Sequence, residues 1–195
     1  SEVQLAVPGG TSNTSEQAKR LDQLAAELRE KGAKEAPTIG SLPLHADIRD
    51  LPRSVGGQPV FGIADDTLEP RGFDPAGSFI ITGPPASGKT NAMKALIIAM
   101  ERFDPDVKMF HFGTRRSELG DFRPWVRSAT KSDDEKDLAT ELADIVSDET
   151  IPFRILIVCE DMPHLADGAA DRPMRALLKA INDSDHMLIG DADVS

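Results

Sequence analysis

Leu21, Leu24, Ala25 and Leu28 recur at helical intervals, and the spacing predicts an amphipathic helix opened by a Thr14/Gln17 capping box and stopped at Gly32. Ahead of it Val3, Leu5 and Val7 alternate with polar residues, as a half-buried strand would, until Pro8-Gly9-Gly10. Pro37, Pro43, Pro52 and, just beyond, Pro59 make residues 33–58 read as a linker whose short apolar pieces lie across the next domain. From there apolar runs change character repeatedly. Strands are predicted over 60–63, 78–82, 107–112, 125–129, 155–159 and 187–189. Helices alternate with them over 89–102, 133–146 (capped by Ser132 with Glu135) and 173–182. Alternation of this kind implies an α/β sheet with helices on its faces. The helix from Lys89 is apolar on most sides, as one sandwiched beside a sheet should be.

Composition narrows the picture. The 195 residues, 39% hydrophobic, suffice to bury a core, and the longest apolar run, Ala95 to Met100, falls far short of the roughly 20 residues of a membrane span. Lys and Arg total 22 against 33 Asp and Glu, a net charge of −11, so the average surface repels a phosphate backbone and DNA is a disfavoured partner. A lone cysteine, Cys159, excludes an intrachain disulfide framework and fits a reducing cytosol. The chain opens at Ser1 without an initiator methionine and is expected to be a piece of a longer protein.

One segment carries explicit chemistry. Gly83-Pro84-Pro85-Ala86-Ser87-Gly88-Lys89-Thr90 matches G-x-x-x-x-G-K-[ST], after the apolar strand Phe79-Ile80-Ile81 and at the start of a helix. The glycines let successive backbone N–H groups face phosphates, and the helix N-terminus adds its positive end. Lys89 is expected to bridge the β- and γ-phosphates of ATP, and Thr90 to ligate Mg²⁺. A triphosphatase also needs a second strand ending in carboxylates. Ile155-Leu156-Ile157-Val158-Cys159 followed by Glu160 and Asp161 is the segment that fits. Glu160 takes the metal-shell place and Asp161 the water-activating place, although the usual order is Asp first. The simpler reading, acids solvating a strand end, stays open.

With both motifs in view, the chain resembles an FtsK/SpoIIIE-type P-loop ATPase module, most closely the tandem modules of EccC/EssC-type coupling ATPases of type VII secretion. Pro59 to Pro85, Phe110 to Phe122 and His186 to Ser195 support the likeness by order and spacing over about residues 42–195. The resemblance implies a RecA-like fold, a mostly parallel sheet flanked by helices with an N-terminal linker helix. It also implies a division into 1–41, the tail strand of a preceding module plus intermodule helix and linker, and 42–195, a C-terminally incomplete ATPase domain. Implied partners are neighbouring modules of the same parent chain and small helical WxG-type secreted proteins. The implied location is the cytoplasmic side of a membrane-anchored complex, with a hexamer left open for the full assembly.

Departures from the family pattern shape the functional expectation. DNA-pumping members typically end the sensor strand with Thr-Gln-Arg-Pro; here those places hold Asp191, Ala192, Asp193 and Val194. The amide that contacts γ-phosphate is missing, and two carboxylates in its place repel a polyanion. Together with Glu160 this implies a module that holds ATP and hydrolyses it slowly or not at all, regulating module packing and substrate engagement. Two alternatives remain: a hydrolysing hexameric DNA translocase, and a nucleotide-free scaffold. Arg115 and Arg116 could act as an arginine finger or pin an interface, with solvated surface arginines the simpler reading. His45, His111, His164 and His186 lack metal-ligand spacing and read as ordinary surface or core residues. Trp125 and Met109 read as core, and Lys131 to Asp137 as a solvated helix start.

Overall fold

The computed structural model describes residues 10–34, 40–114 and 116–193. Its two compact units are Ser1–Gly40 and Ser41–Ser195. In the first, helix α1 (Thr14–Glu30) is capped by Asn13, whose side chain accepts from Ser15 N at 3.0 Å. The expected Thr14/Gln17 box does not form. A carboxamide at 13 reaches the first-turn amides first, and the Gln17 side chain donates instead to Thr11 O at 2.7 Å. Leu21, Leu24 and Leu28 form an exposed apolar stripe along α1. The strand expected over 2–7 lies outside the described residues.

The second unit begins with a short 3-10 turn (Ile48–Asp50) and a three-stranded antiparallel sheet of β1 (Ser54–Val55), β2 (Gln58–Ile63) and β3 (Pro70–Gly72). Neither the turn, β1 nor β3 is marked by apolar periodicity, because each is too short to carry one. Arg102 donates to the carbonyls of Ile48 and Leu51, at 2.5 Å for Leu51, and so fastens the turn to a helix of the main layer.

That layer is a five-stranded parallel sheet in the order β4 (Gly77–Gly83), β8 (Met187–Asp193), β7 (Ile155–Cys159), β5 (Lys108–Phe112) and β6 (Arg127–Ala129). β7 is buried along its whole length, as a strand covered on both faces must be. Side chains alternate across it. Ile155, Ile157 and Cys159 meet α3 (Ser132–Val146) and α5 (Asp171–Asn182) on one face, while Leu156 and Val158 meet α2 (Lys89–Phe103) on the other. The architecture is thus the α/β, mostly parallel arrangement that the alternating pattern implies.

Three local expectations need correcting. Helix α3 begins at Ser132 with Lys131 as its cap residue and no side-chain cap, so the Ser132/Glu135 box is absent. Glu135 is buried rather than solvated, with a relative exposure of 6%, and burial pushes its carboxyl above the usual range. A short helix α4 (Met162–Asp167) precedes α5, and α5 itself starts two residues before Pro173, which a first helical turn tolerates. The strand expected over 125–129 is confined to β6, Arg127–Ala129, and the indole N–H of Trp125 donates instead to Leu119 O at 2.9 Å.

Leu177 lies fully buried where α5 packs in the first core. Leu177→Ala should therefore cost about 2–5 kcal/mol of stability, measurable by denaturant unfolding. Cys159 is also fully buried and its thiol is pushed far up by that burial, so iodoacetamide should label it only when the sheet opens.

Candidate phosphate-binding site

In a parallel sheet every strand ends on the same edge, and that edge is where ligands of open α/β folds bind. Here it gathers the loop after β4, Glu160 and Asp161 after β7, and the last residues of β8. β8 lies between the other two, so Asp191 and Asp193 stand between the loop and the β7 acids.

The loop runs from Gly83 through Pro84, Pro85, Ala86 and Ser87 to Gly88, and α2 starts at Lys89 and Thr90. Ala86 and Gly88 both have positive φ, 60° and 92°. Alternating left-handed residues turn successive N–H groups toward one side, the geometry of an anion nest. Gly88 adopts this conformation without penalty, whereas Ala86 holds it at a cost of roughly 1–2 kcal/mol. The N–H groups of Gly88, Lys89 and Thr90 have no backbone acceptor among the described residues, leaving the first turn of α2 open for an anion.

Lys89 folds back over the loop. Its ammonium donates to Gly83 O at 3.1 Å, to Pro84 O at 3.3 Å and to Asp193 Oδ1 at 2.5 Å. An ammonium has three protons, and all three are taken. The lysine side chain is nearly buried while Asp193 stays 64% exposed.

The β7 acids have structural partners of their own. Asp161 sits in the left-handed region (φ 54°), caps α4 by accepting from His164 N at 3.4 Å, and donates its own N–H to Asp191 Oδ1 at 2.9 Å. Glu160 turns toward β5. Its Oε1 accepts from Ser117 Oγ and lies 2.6 Å from Nε2 of the fully buried His111. His111 Nδ1 in turn meets Ser128 Oγ at 2.8 Å, and Trp125 stacks on the imidazole with ring centroids 4.9 Å apart. Gly113 passes close by: a Cβ there would stand 2.4 Å from Glu160 Oε1 and 2.5 Å from the His111 ring.

Asp191 is half-buried, and burial raises its carboxyl above the ordinary value. The Asp161 N–H and the Lys89 charge pull the other way, while Glu160 and Asp161 push up with burial. The hard-oxygen donors at this edge, the Thr90 hydroxyl with Asp191, Glu160 and Asp161, have the chemistry Mg²⁺ takes beside a nucleotide. No group of three or more His, Cys, Asp or Glu among the described residues forms a preassembled metal site.

No family model matches the chain, and no curated protein matches it in sequence. Solved structures do. The cytoplasmic domain of the Thermomonospora curvata type VII secretion ATPase EccC aligns with a TM-score of 0.63 at 19% identity, over 95% of this chain and 24% of that one. EccC ATPases 2 and 3 from the same organism, solved with a signal sequence peptide, align at 0.64 and 19%, over 95% and 38%. EssC ATPases 2 and 3 from Geobacillus thermodenitrificans align at 0.58 and 13%, over 94% and 39%. The fold is that of these secretion ATPase domains. The chain spans between about a quarter and two-fifths of the length of these three structures.

The structure brings the sequence-selected loop, Glu160 and Asp161 to one edge, with Asp191 and Asp193 between them. Arg116 is exposed beyond β5, and Arg115 lies outside the described residues. His111, Ser117, Ser128 and Trp125 escape the sequence reading as a unit. The available signal was a histidine inside the otherwise apolar Met109–Phe112 run, a buried polar position that demands a partner.

Asp191→Asn keeps the acceptor for Asp161 N–H and removes the buried charge. Because the folded-state pKa is raised, ionised Asp191 costs stability once pH exceeds its ordinary value of 3.8, and the cost is relieved as pH falls through the raised value. The variant should melt higher than wild type at pH 7, with the two converging near pH 3 in thermal unfolding followed by circular dichroism.

Proposed function

We infer that residues 42–195 form a nucleotide-holding P-loop module of a type VII-like secretion ATPase. Residues 1–41 supply the tail strand of a preceding module and an intermodule helix and linker. One observation carries the reading: the unpartnered amides of Gly88, Lys89 and Thr90 lie at a helix start under the nearly buried Lys89 ammonium. Gly83 to Thr90 hold the phosphates of ATP. Thr90, with Glu160 freed from His111 and Ser117, ligates Mg²⁺, which neutralises phosphate charge when bound. Asp161 is the water-orienting carboxylate by position, and its work as helix cap and its tie to Asp191 leave it ill placed for that task. Hydrolysis is therefore slow or absent, and the module acts through occupancy. Its partners are neighbouring modules of the parent chain and small helical WxG-type secreted proteins, a reading supported by the EccC structure with a signal peptide. The work is done on the cytoplasmic side of a membrane-anchored assembly. No helix among the described residues is long and apolar enough to cross a membrane.

The nucleotide-free scaffold is favoured by one observation, the full set of acceptors already held by Lys89. Titration with a fluorescent ATP analogue and Mg²⁺ separates the two. Wild type should bind, Lys89→Ala should bind at least about tenfold more weakly, and steady-state turnover should fall below the roughly 1–10³ per second of ordinary enzymes. An empty wild-type titration would establish the scaffold, and turnover within that range would remove the slow-hydrolysis reading.

A further inference from the structure

Of the three acceptors on Lys89, two are carbonyls of the loop itself, Gly83 O and Pro84 O, and cannot leave without remodelling it. The third is a carboxylate from another strand. Asp193 pairs in register with Gly83 across β8 and β4, so its backbone is held abreast of the loop entrance while its side chain reaches Lys89. We propose that Asp193 occupies on Lys89 the place a terminal phosphate would take, so that the loop holds a nucleoside diphosphate in preference to the triphosphate.

The inference rests on the nucleotide-holding reading above and names the ligand class that site selects. A diphosphate can be received by the open amides of the α2 first turn and the nest at Ala86 and Gly88 while the Lys89–Asp193 pair stays closed. Lys89 serves the β- and γ-phosphates of such a loop together, so a third phosphoryl group makes a demand on the ammonium beyond the one a diphosphate makes. It must displace Asp193, and it brings further negative charge beside two carboxylates. Asp191 and Asp193 are two residues apart on one strand and point the same way, and Asp191 lies within electrostatic reach of Lys89. Asp193 is the exposed member of the pair, so displacement is feasible and triphosphate binding is weakened rather than abolished.

Calorimetric titration of the 195-residue chain with ADP and with the non-hydrolysable triphosphate AMP-PNP, both with Mg²⁺, decides the matter. Wild type should bind ADP at least about fivefold more tightly than AMP-PNP. Asp193→Asn should tighten AMP-PNP about tenfold while changing ADP by less than about threefold. The wild-type ratio alone tests the idea if the variant folds poorly, which its circular dichroism would reveal. A wild-type preference for AMP-PNP overturns the proposal while leaving nucleotide binding intact, as does a variant in which both ligands shift equally or neither shifts. Binding of neither nucleotide by wild type or variant would instead overturn the nucleotide-holding reading beneath it.

Discussion

The Lys89 ammonium is a nearly buried cation on the edge where the loop, β8 and β7 end, and the site depends on how its three protons are shared. Two go to the loop that the lysine closes over, which makes the side chain a brace for the backbone around Gly83 and Pro84. The third crosses to Asp193. A nearly buried ammonium left without an anion would pay for its desolvation, and Asp193 offsets that cost from a position where its own charge remains mostly hydrated. The loop conformation and the end of β8 are therefore tied through one side chain.

On the other side of β8 the acids are handled differently. Glu160 and Asp161 follow directly on a wholly buried strand, and neither projects freely. Glu160 is drawn to His111 and Ser117, and Asp161 to the start of α4 and to Asp191. The imidazole sits between Ser128 and Glu160 with Trp125 against its face, so each polar atom is paired and one side is closed to water. Paired in this way, a buried histidine in the sheet avoids the cost of an unsatisfied polar group. Gly113 is the spacing element, since any side chain there would enter the space that Glu160 and His111 share. Glu160 thus ties the end of β7 to β5 and to the segment around Ser117, and Asp161 ties it to α4 and to β8.

The hydrophobic pattern was enough to place the main strands and helices because each is long enough for its period to show. Buried β7 reads as a continuous apolar run and α2 as a nearly all-apolar helix, both consequences of a sheet covered on two faces. Short elements escaped: β1, β3 and α4 have too few residues to display a period, and their form follows from pairing and from Asp161 at the head of α4. Helix caps were misplaced by one residue at both α1 and α3, because the position at which the backbone enters the helix is settled by local backbone angles rather than by residue type: Asn13 caps α1 with its side chain, and α3 starts after Lys131 with no side-chain cap.

By itself the sequence determined the α/β class, the strand–loop–helix carrying Gly83 to Thr90, and the acidity of the residues at the ends of β7 and β8, since these are local properties of composition and spacing. Only the tertiary structure decided that β8 lies between β4 and β7, that Asp193 closes on Lys89, and that His111 holds Glu160. Those contacts join residues 104 and 49 positions apart. Strand order sets them, and strand order follows from how helices cover the two faces of the sheet, which no single segment encodes.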